Sequence, residues 1–533
     1  MRSSYCRLSF IVLLLLLFAV DRPAFSQSRK TYNLVTDFGA KGDDRTDNYA
    51  AFINAAATLS KAGGGTLIIP KGKYYIAAFK IYGGNDKNNI TDIIFKNCNN
   101  LTIEGNNSTI RVNGKFTRKP GYSVAGLSHQ YSYYSTVCPF FFSGCKNTVL
   151  KDITLYGEVD KMKREGNVVE GQSYGVSIYD DDNESSYNVT LQNLVVHHFA
   201  VDGFLIRSNG SKLSILNCRS YNNARQGLSI TKGKDILVYG SDFDSTGFTG
   251  SYGFHWPAAG IDIENEFKPG DVNGVVIRKC QLRSNYGFQV VTTLPSHNVL
   301  IDSCFIMDKD KGYGGGVNGV GMYSLNSTLS NSIIFASLQV DLADQPYRGE
   351  KIQQIKNNLI YSGHRAIICS DFNRPVNIDG NILVMLPKPE DTYFPYIQSV
   401  NCTFNNNIIA VHPDQVRTGP PKVVSLVQYV KEGMNNFWLL NKNNFTEERR
   451  KGYHYYYAAF TNTKILKKQF FPVNTYTSAM EIPEKRFVTD AQQDQIVNTP
   501  LFAAFQQAAF NRAYLVQAAE VRKYAAGIVA ATK

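Results

Sequence analysis

Two carboxylates two residues apart, Asp262 and Glu264, are the pair in this chain best suited to acid–base chemistry. In an extended segment they project from one face, and twice a rise of about 3.3 Å sets their Cβ atoms about 6.5–7 Å apart. Carboxyl groups about 6.5–9.5 Å apart leave room for water opposite a leaving group, as inverting glycoside hydrolysis requires. Two negative charges this close also drive their pKa values apart, which separates an acid from a base. The spacing does not order the two. An outward Asp-x-Glu is also what an ordinary solvated strand carries, so the surrounding residues have to argue for chemistry.

The surroundings come from a repeat. Gly203-Phe-Leu-Ile, Gly227-Leu-Ser-Ile, Gly260-Ile-Asp-Ile and Gly287-Phe-Gln-Val are short glycine-led segments at intervals of 24, 33 and 27 residues. Aligned on their glycines, the first and third residues after glycine are all apolar and face a core; the second and fourth face out. An earlier segment, Gly175-Val-Ser-Ile-Tyr, fits the same frame. Neighbouring strands lie about 4.8 Å apart. The alignment therefore gathers Asp202, Arg207, Arg225, Gln226, Asp262 and Glu264 into one external patch, with Tyr174 and Gln289 beside it. Asp202 joins Asp262 and Glu264 as a candidate catalytic carboxylate. Arg225, Gln226, Arg207, Tyr174 and Gln289 are candidate substrate contacts.

The 33-residue interval holds an inserted loop, about 248–257, with one of only two tryptophans. Trp256 has an apolar face that stacks on a sugar ring, and His255 beside it is a substrate contact or acid–base group. A second chemistry fits the same residues. Abstraction of the proton next to a uronate carboxylate, by a lyase or an epimerase, needs a Tyr, His, Lys or Arg base and a group that neutralises the carboxylate. Tyr174, Arg207, Arg225 and His255 supply such types. Tyr252-Gly-Phe-His also resembles the Tyr-Gly-Phe motif of alginate epimerases, without the Asp-Pro-His that follows it there.

Composition bounds the partners. Hydrophobic residues make up 43% and charged residues 19%, a globular balance. The net charge of +12 favours an anionic partner. Arg2 and Arg7, an apolar run from Phe10 to Val20, and Ala24-Phe-Ser26 read as a secretory signal over residues 1–26, too short to span a bilayer. The expected location is secreted or periplasmic, which points to an acidic polysaccharide or oligosaccharide rather than nucleic acid, with no membrane span. Eight cysteines follow the signal and none forms a Cys-x-x-Cys pair, so no zinc site is expected. Asn97-Cys98, Asn217-Cys218, Lys279-Cys280, Ser303-Cys304 and Asn401-Cys402 recur close to strand ends and read as buried thiols; Cys138 and Cys145 are near enough in sequence for a loop bridge. No cofactor is expected. Asp180-Asp-Asp-Asn-Glu184 offers hard oxygens to calcium, against the plainer reading of a solvated turn. His197 and His198 read as ladder positions.

Repeats of about 20–50 residues made of short strands without helices between them point to a solenoid. The opening is more specific. Asp37-Phe-Gly-Ala-Lys-Gly-Asp43, a helix from Asp47 to Ala62 with Asp47 as N-cap, and Gly63-Gly-Gly-Thr-Leu-Ile-Ile-Pro-Lys-Gly-Lys-Tyr74 resemble the start of the pectate-lyase superfamily, in its rhamnogalacturonase/epimerase-like branch. The resemblance implies an all-β fold, a right-handed parallel β-helix capped by that helix, over residues 27–410 with the cap at 31–80. Residues 411–533 read as a C-terminal covering segment with an Ala-rich helix from Leu501 to Ala531. The superfamily spans several reactions, and neither the paired-Asp, Gly-His-Gly and Arg-x-Lys set of polygalacturonases nor the Arg-x-Pro-x-x-Arg of pectate lyases stands here in order. The expectation is therefore an exported inverting glycoside hydrolase, with lyase or epimerase as the alternative and a non-catalytic glycan binder as a third.

Overall fold

The computed structural model describes residues 30–459 apart from 80–89, 120–130, 163–167, 170–172, 294, 311–318, 341–352, 364–365, 370–375, 386–396, 412–422, 433–435, 440–444 and 451–452. The signal segment and the helix expected at 501–531 lie outside the described residues. The chain is a right-handed parallel β-helix. Each coil contributes one short strand to each of three parallel sheets. The first sheet runs through Tyr174–Tyr179, the starts of Asp202–Leu216 and Gln226–Tyr239, then Ala259–Ile263, Val290–Thr292 and Val320–Met322. The second takes the later parts of the two long strands and continues through Val272–Arg278 and His297–Asp302. Arg219–Tyr221, Asp242–Asp244, Gln281–Arg283 and Phe305–Met307 belong to the third.

Inward residues stack by type along the axis. Phe204 and Ile206, Leu228 and Ile230, Ile261 and Ile263 are all fully buried, as period-two alternation predicts. A helix, Tyr49–Ala62, closes the N-terminal end, burying Ala51, Phe52, Ala55, Ala56 and Leu59 and stopping at Gly63, whose φ is +72°. It starts later than the sequence suggested. Asn48 holds the cap position, and its side chain bonds Lys41, Thr46 and Tyr75 instead of the helix. Asp47 accepts from the backbone of Tyr49 and Ala77.

Between the second and third sheets the chain turns through one left-handed residue. Asn97, Gly144, Asn217, Gly240, Lys279, Ser303, Asn331, Asn357, Gly380 and Asn406 take φ from 52° to 65° there. The next residue points in, and its buried N–H needs a partner. The following coil supplies it. Cys218 N–H donates to Ser241 Oγ at 3.0 Å and Cys304 N–H to Ser332 Oγ at 3.0 Å. Ser332, Asn358, Asn381 and Asn407 N–H groups donate in turn to the side-chain oxygens of Asn358, Asn381, Asn407 and Asn436, at 2.9–3.0 Å. Cys98, Cys145, Cys218, Cys280 and Cys304 occupy this same position, whereas Cys402 lies inside the strand Ile397–Asn405 and not at a strand end; all eight are buried thiols, and Cys138 and Cys145 are not bridged.

Asn381→Ala strands the N–H of Asn358 and the carbonyl of Ile355, both bonded to the Asn381 side chain. Buried unmet groups cost about 1–3 kcal/mol each, so the expected loss is about 2–5 kcal/mol in a urea titration. An unchanged midpoint would mean the ladder is decorative.

Candidate active site

The outer face of the first sheet carries the candidate residues, and its glycine column explains why they meet. A Cβ on Gly175, Gly203, Gly227 or Gly260 would lie 2.5–2.8 Å from the next coil's carbonyl oxygen. Only glycine lets successive backbones approach there. Tyr174, Asp202, Gln226 and Ala259 immediately precede these glycines and are register partners in succession. Ser229 and Asp262 are partners three residues further along the same strands.

Asp202 is fully buried, and Arg225 clamps it with two bonds, Nε to Oδ1 at 2.9 Å and a second nitrogen to Oδ2 at 2.6 Å. Burial pushes the Asp202 pKa up and the guanidinium opposes that shift. Asp202, placed by the glycine frame on the external patch, is thus buried and charge-paired rather than exposed. Gln226, also buried, donates its amide to Asp262 Oδ2. Asp262 Oδ1 and Gln226 Oε1 are buried and have no hydrogen-bond partner among the described residues.

Asp262 itself is 2% exposed. Burial first, then the charge of Glu264, push its pKa up to about 8, with Asp202 and Glu266 adding and Arg225 opposing. Glu264, two residues on, is exposed. Spacing alone does not order the pair; the environments differ. Asp262 is buried with its pKa raised above neutrality, whereas Glu264 faces solvent.

A third acid was missed. Glu266 continues the alternation of Asp262 and Glu264 and is coupled to both by charge. Partial burial of its carboxyl and then Glu264 raise its pKa, while Arg207 and Arg225 oppose. The signal was present as Asp-x-Glu-x-Glu at 262–266.

Arg207 lies at the other side of the patch. Its guanidinium carbon sits 4.7 Å from the Tyr179 ring centre and 4.4 Å from that of Phe267. Its strand neighbour is Lys232, because a bulge after Ile206 skips Thr231. Arg111, Arg219, Arg225 and Arg278 each close on a carboxylate; Arg207 closes on none among the described residues.

One coil breaks the frame. Ile261 pairs with Val290, not with Phe288, so the Gly287 segment is displaced by two residues. A Cβ on Gly287 would strike the Pro257 carbonyl at 1.8 Å, which assigns this glycine to a turn against the inserted loop rather than to the strand column. Gln289 consequently leaves the outer face. It is fully buried, and its oxygen accepts from the Asn285 backbone and amide at 3.1 and 2.9 Å. It is a turn-closing residue and not a substrate contact. Phe288 likewise leaves the core column and packs edge-on to Tyr323.

The inserted loop adjoins the Arg225 side. His255 N–H donates to the Ala224 carbonyl at 2.8 Å, and its Nε2 lies 3.2 Å from the hydroxyl of buried Tyr252. Trp256 is 60% exposed. Tyr174 is half-buried at the edge of the patch. His197 and His198 stand apart, on the third sheet. His197 is stacked between Tyr156 and Tyr221 at 5.0 and 4.7 Å, and burial, then His198, lower its pKa to about 4. Asp180 accepts five bonds, from Gly144, Ser186 (two), Ser208 and Asn209, so protein donors already surround it. Among the described residues no group of three or more His, Cys, Asp or Glu is arranged to hold a metal ion, and no helix is long and apolar enough to cross a membrane.

Fold and site together define a parallel β-helix protein with a carboxylate cluster on one outer sheet. Residues 141–312 match the family described as right handed beta helix region. Alginate lyase 7 of Azotobacter vinelandii is 28% identical over 225 residues, 39% of this chain and 24% of that protein. A mannuronan C5-epimerase of the same organism is 26% identical over 39% of this chain and 15% of its own length. Iota-carrageenase of Alteromonas macleodii is 26% identical over 41% and 38%. The chain thus spans less than two fifths of the length of these relatives. Among solved structures, the catalytic unit of an alpha-1,3-glucanase from Streptomyces thermodiastaticus superposes with a TM-score of 0.42 at 13% identity, over 76% of this chain and 68% of that one.

The Asp262 shift has a thermodynamic sign. The folded pKa of about 8 exceeds the unfolded value near 3.9, so the folded state binds the extra proton between them. Stability therefore falls as pH rises from about 4 to about 8. Asp262→Asn should flatten that fall and raise the melting temperature at pH 8 relative to the parent. Parallel pH profiles for the two proteins would refute the assignment.

Proposed function

We propose that this protein cleaves glycosidic bonds of an acidic polysaccharide by inverting hydrolysis, outside the cytoplasm. The observation that carries the reading is the division of labour between Asp262 and Glu264: one carboxyl kept protonated by burial, the other solvent-facing on the same strand face. Asp262 gives its proton to the glycosidic oxygen as the bond to the anomeric carbon breaks. Glu264 takes a proton from the water that attacks that carbon from the opposite face, so the net change is addition of one water. Glu266 is next in line as base. Arg225 and Asp202 hold the cluster's charge in balance, and Gln226 fixes the Asp262 carboxyl through its amide. Arg207, which closes on no carboxylate among the described residues though its charge reaches Glu266, stands beside Lys232, 4.0 Å from Asp271, and this positive edge supports an anionic substrate. The relatives' names, a lyase, an epimerase and a carrageenase, support polysaccharide as the substrate class.

A second reading rests on Tyr252 and His255. Their hydrogen bond beside Arg225 is a tyrosine–histidine pair suited to proton abstraction, and elimination or epimerisation of a uronate would use it.

Incubation with alginate, iota-carrageenan, polygalacturonate and neutral glucans separates the two. Hydrolysis gives new reducing ends without unsaturated-uronate absorbance. Asp262→Asn and Glu264→Gln should each lower the rate at least about a hundred-fold, and the parent rate should fall above about pH 8 as Asp262 ionises. Reducing ends accompanied by that absorbance would sink hydrolysis and assign the chemistry to Tyr252 and His255.

A further inference from the structure

Among the described residues the two most exposed large hydrophobic side chains are Trp256, at 60%, and Phe248, at 45%. They are not scattered. Both converge on Tyr286, with ring centres 6.4 and 5.7 Å away. Phe254 completes the group, 4.0 Å from Tyr286 and 5.5 Å from Trp256. Trp256 stands at 82° to Phe254, and Phe248 at 65° to Tyr286. Steeply angled rings leave faces open that a closed stack would hide. The ammonium of Lys309, 3.8 Å from the carboxylate of Asp310, lies 5.0 Å from the Tyr286 ring centre.

The segment that presents these rings is held at several points. Gly247 N–H donates to Asn223, His255 N–H to Ala224, and Gly287 N–H to Ala258. Tyr252 anchors it from below, in a buried cluster with Val159, Ala200 and Ala224. Gly247 permits the closeness: a Cβ there would fall 2.7 Å from the Tyr286 Cβ, and its φ is +85°. Rings so fixed lose little freedom on binding. Continuity with the carboxylates is direct, because the residue after Ala224 is Arg225, which clamps Asp202.

We propose that Trp256, Phe248, Phe254 and Tyr286 form a sugar-binding platform that holds a polysaccharide segment one or more residues from the bond at Asp262 and Glu264, with Lys309 meeting an acidic substituent. Sugar rings offer apolar C–H faces to aromatic rings, and the ammonium selects anionic chains over neutral ones. The inference rests on the polysaccharide reading of the site but not on the reaction catalysed there.

The test is retardation in native gels cast with alginate, iota-carrageenan or neutral dextran, using the full chain. Glu264→Gln serves as the parent so that the polymer stays intact. The parent should be retarded by at least one anionic polymer and released by salt. Trp256→Ala and Phe248→Ala should weaken that binding about ten-fold, whereas Trp256→Tyr should keep most of it; thermal melting checks that each variant folds. Retardation reports binding rather than product, so with the gels run in the cold an enzyme that eliminates or epimerises gives the same answer. Retardation equal in parent and Trp256→Ala would overturn the platform, as would a parent that none of the polymers retards. So would loss of a dimer on sedimentation with binding intact, which would assign the rings to a second copy of the chain.

Discussion

The rest of the structure depends on a bend made with one left-handed residue, followed by a buried N–H that only the next coil can satisfy. A parallel sheet fixes the spacing of its strands but not how the chain leaves one sheet for the next. Here the exit is set by Asn217-Cys218, Lys279-Cys280, Asn357-Asn358 and their equivalents. The inward residue of each coil meets the backbone of the one before, so the register of one coil constrains the next. Asparagine suits both roles, tolerating φ near +55° and offering an acceptor and two donors. Thiols and hydroxyls fill the same position in other coils, as in Cys218 and Ser241 or Cys304 and Ser332. The first sheet inherits this register, and its glycine column tightens it by placing each carbonyl where a Cβ would have been.

That register makes an acidic cluster tenable. Asp202 and Asp262 are two buried carboxyls on neighbouring rows, and an unpaired buried charge is costly. The two are treated differently. Asp202 keeps a charge-assisted fork from Arg225; Asp262 has only an amide from Gln226 and answers burial by holding its proton. Arg225 directs Nε and one terminal nitrogen to Asp202 and opposes the Asp262 shift through its charge. The asymmetry leaves one buried acid ion-paired and the other with its pKa raised.

Much of this was legible in the sequence. The glycine frame set Asp202 beside Gln226 and Gln226 beside Ala259, as the strand pairing does. The core column followed from alternation alone. The frame failed at Gly287 because a glycine can serve a turn as well as a strand, and only the Pro257 carbonyl decides which. Gln289 was misread for that reason. Burial was the other blind spot. Alternation says that Asp262 points away from the core, but outward residues of a solenoid can still be covered, and the cover comes from parts of the chain distant in sequence. Ser177 and Ser229 on the same row are buried too. Glu264 and Glu266 both lie beyond the end of Ala259–Ile263, and Glu266 was missed because the glycine frame stopped at the fourth residue after Gly260, which is Glu264.

The inserted loop links that failure to function. A solenoid tolerates extra residues at a turn as long as the strands on either side keep their partners. The 33-residue interval between Gly227 and Gly260 uses this freedom: Leu228 still pairs with Ile261 on the first sheet, and Ser220 with Phe243 on the third, the two sheets that flank the insertion. The loop folds back on the turns of earlier coils through Tyr252 and on the following turn through Gly287. The next coil yields by two residues to admit it. Shifting a strand by two keeps every side chain on its own face, so the core survives the adjustment while the outer surface gains a ridge of rings beside the carboxylates. A shift of one residue would have turned Val290 outward and exposed the core. The period of the strand therefore limits how such a site is elaborated, allowing even steps only.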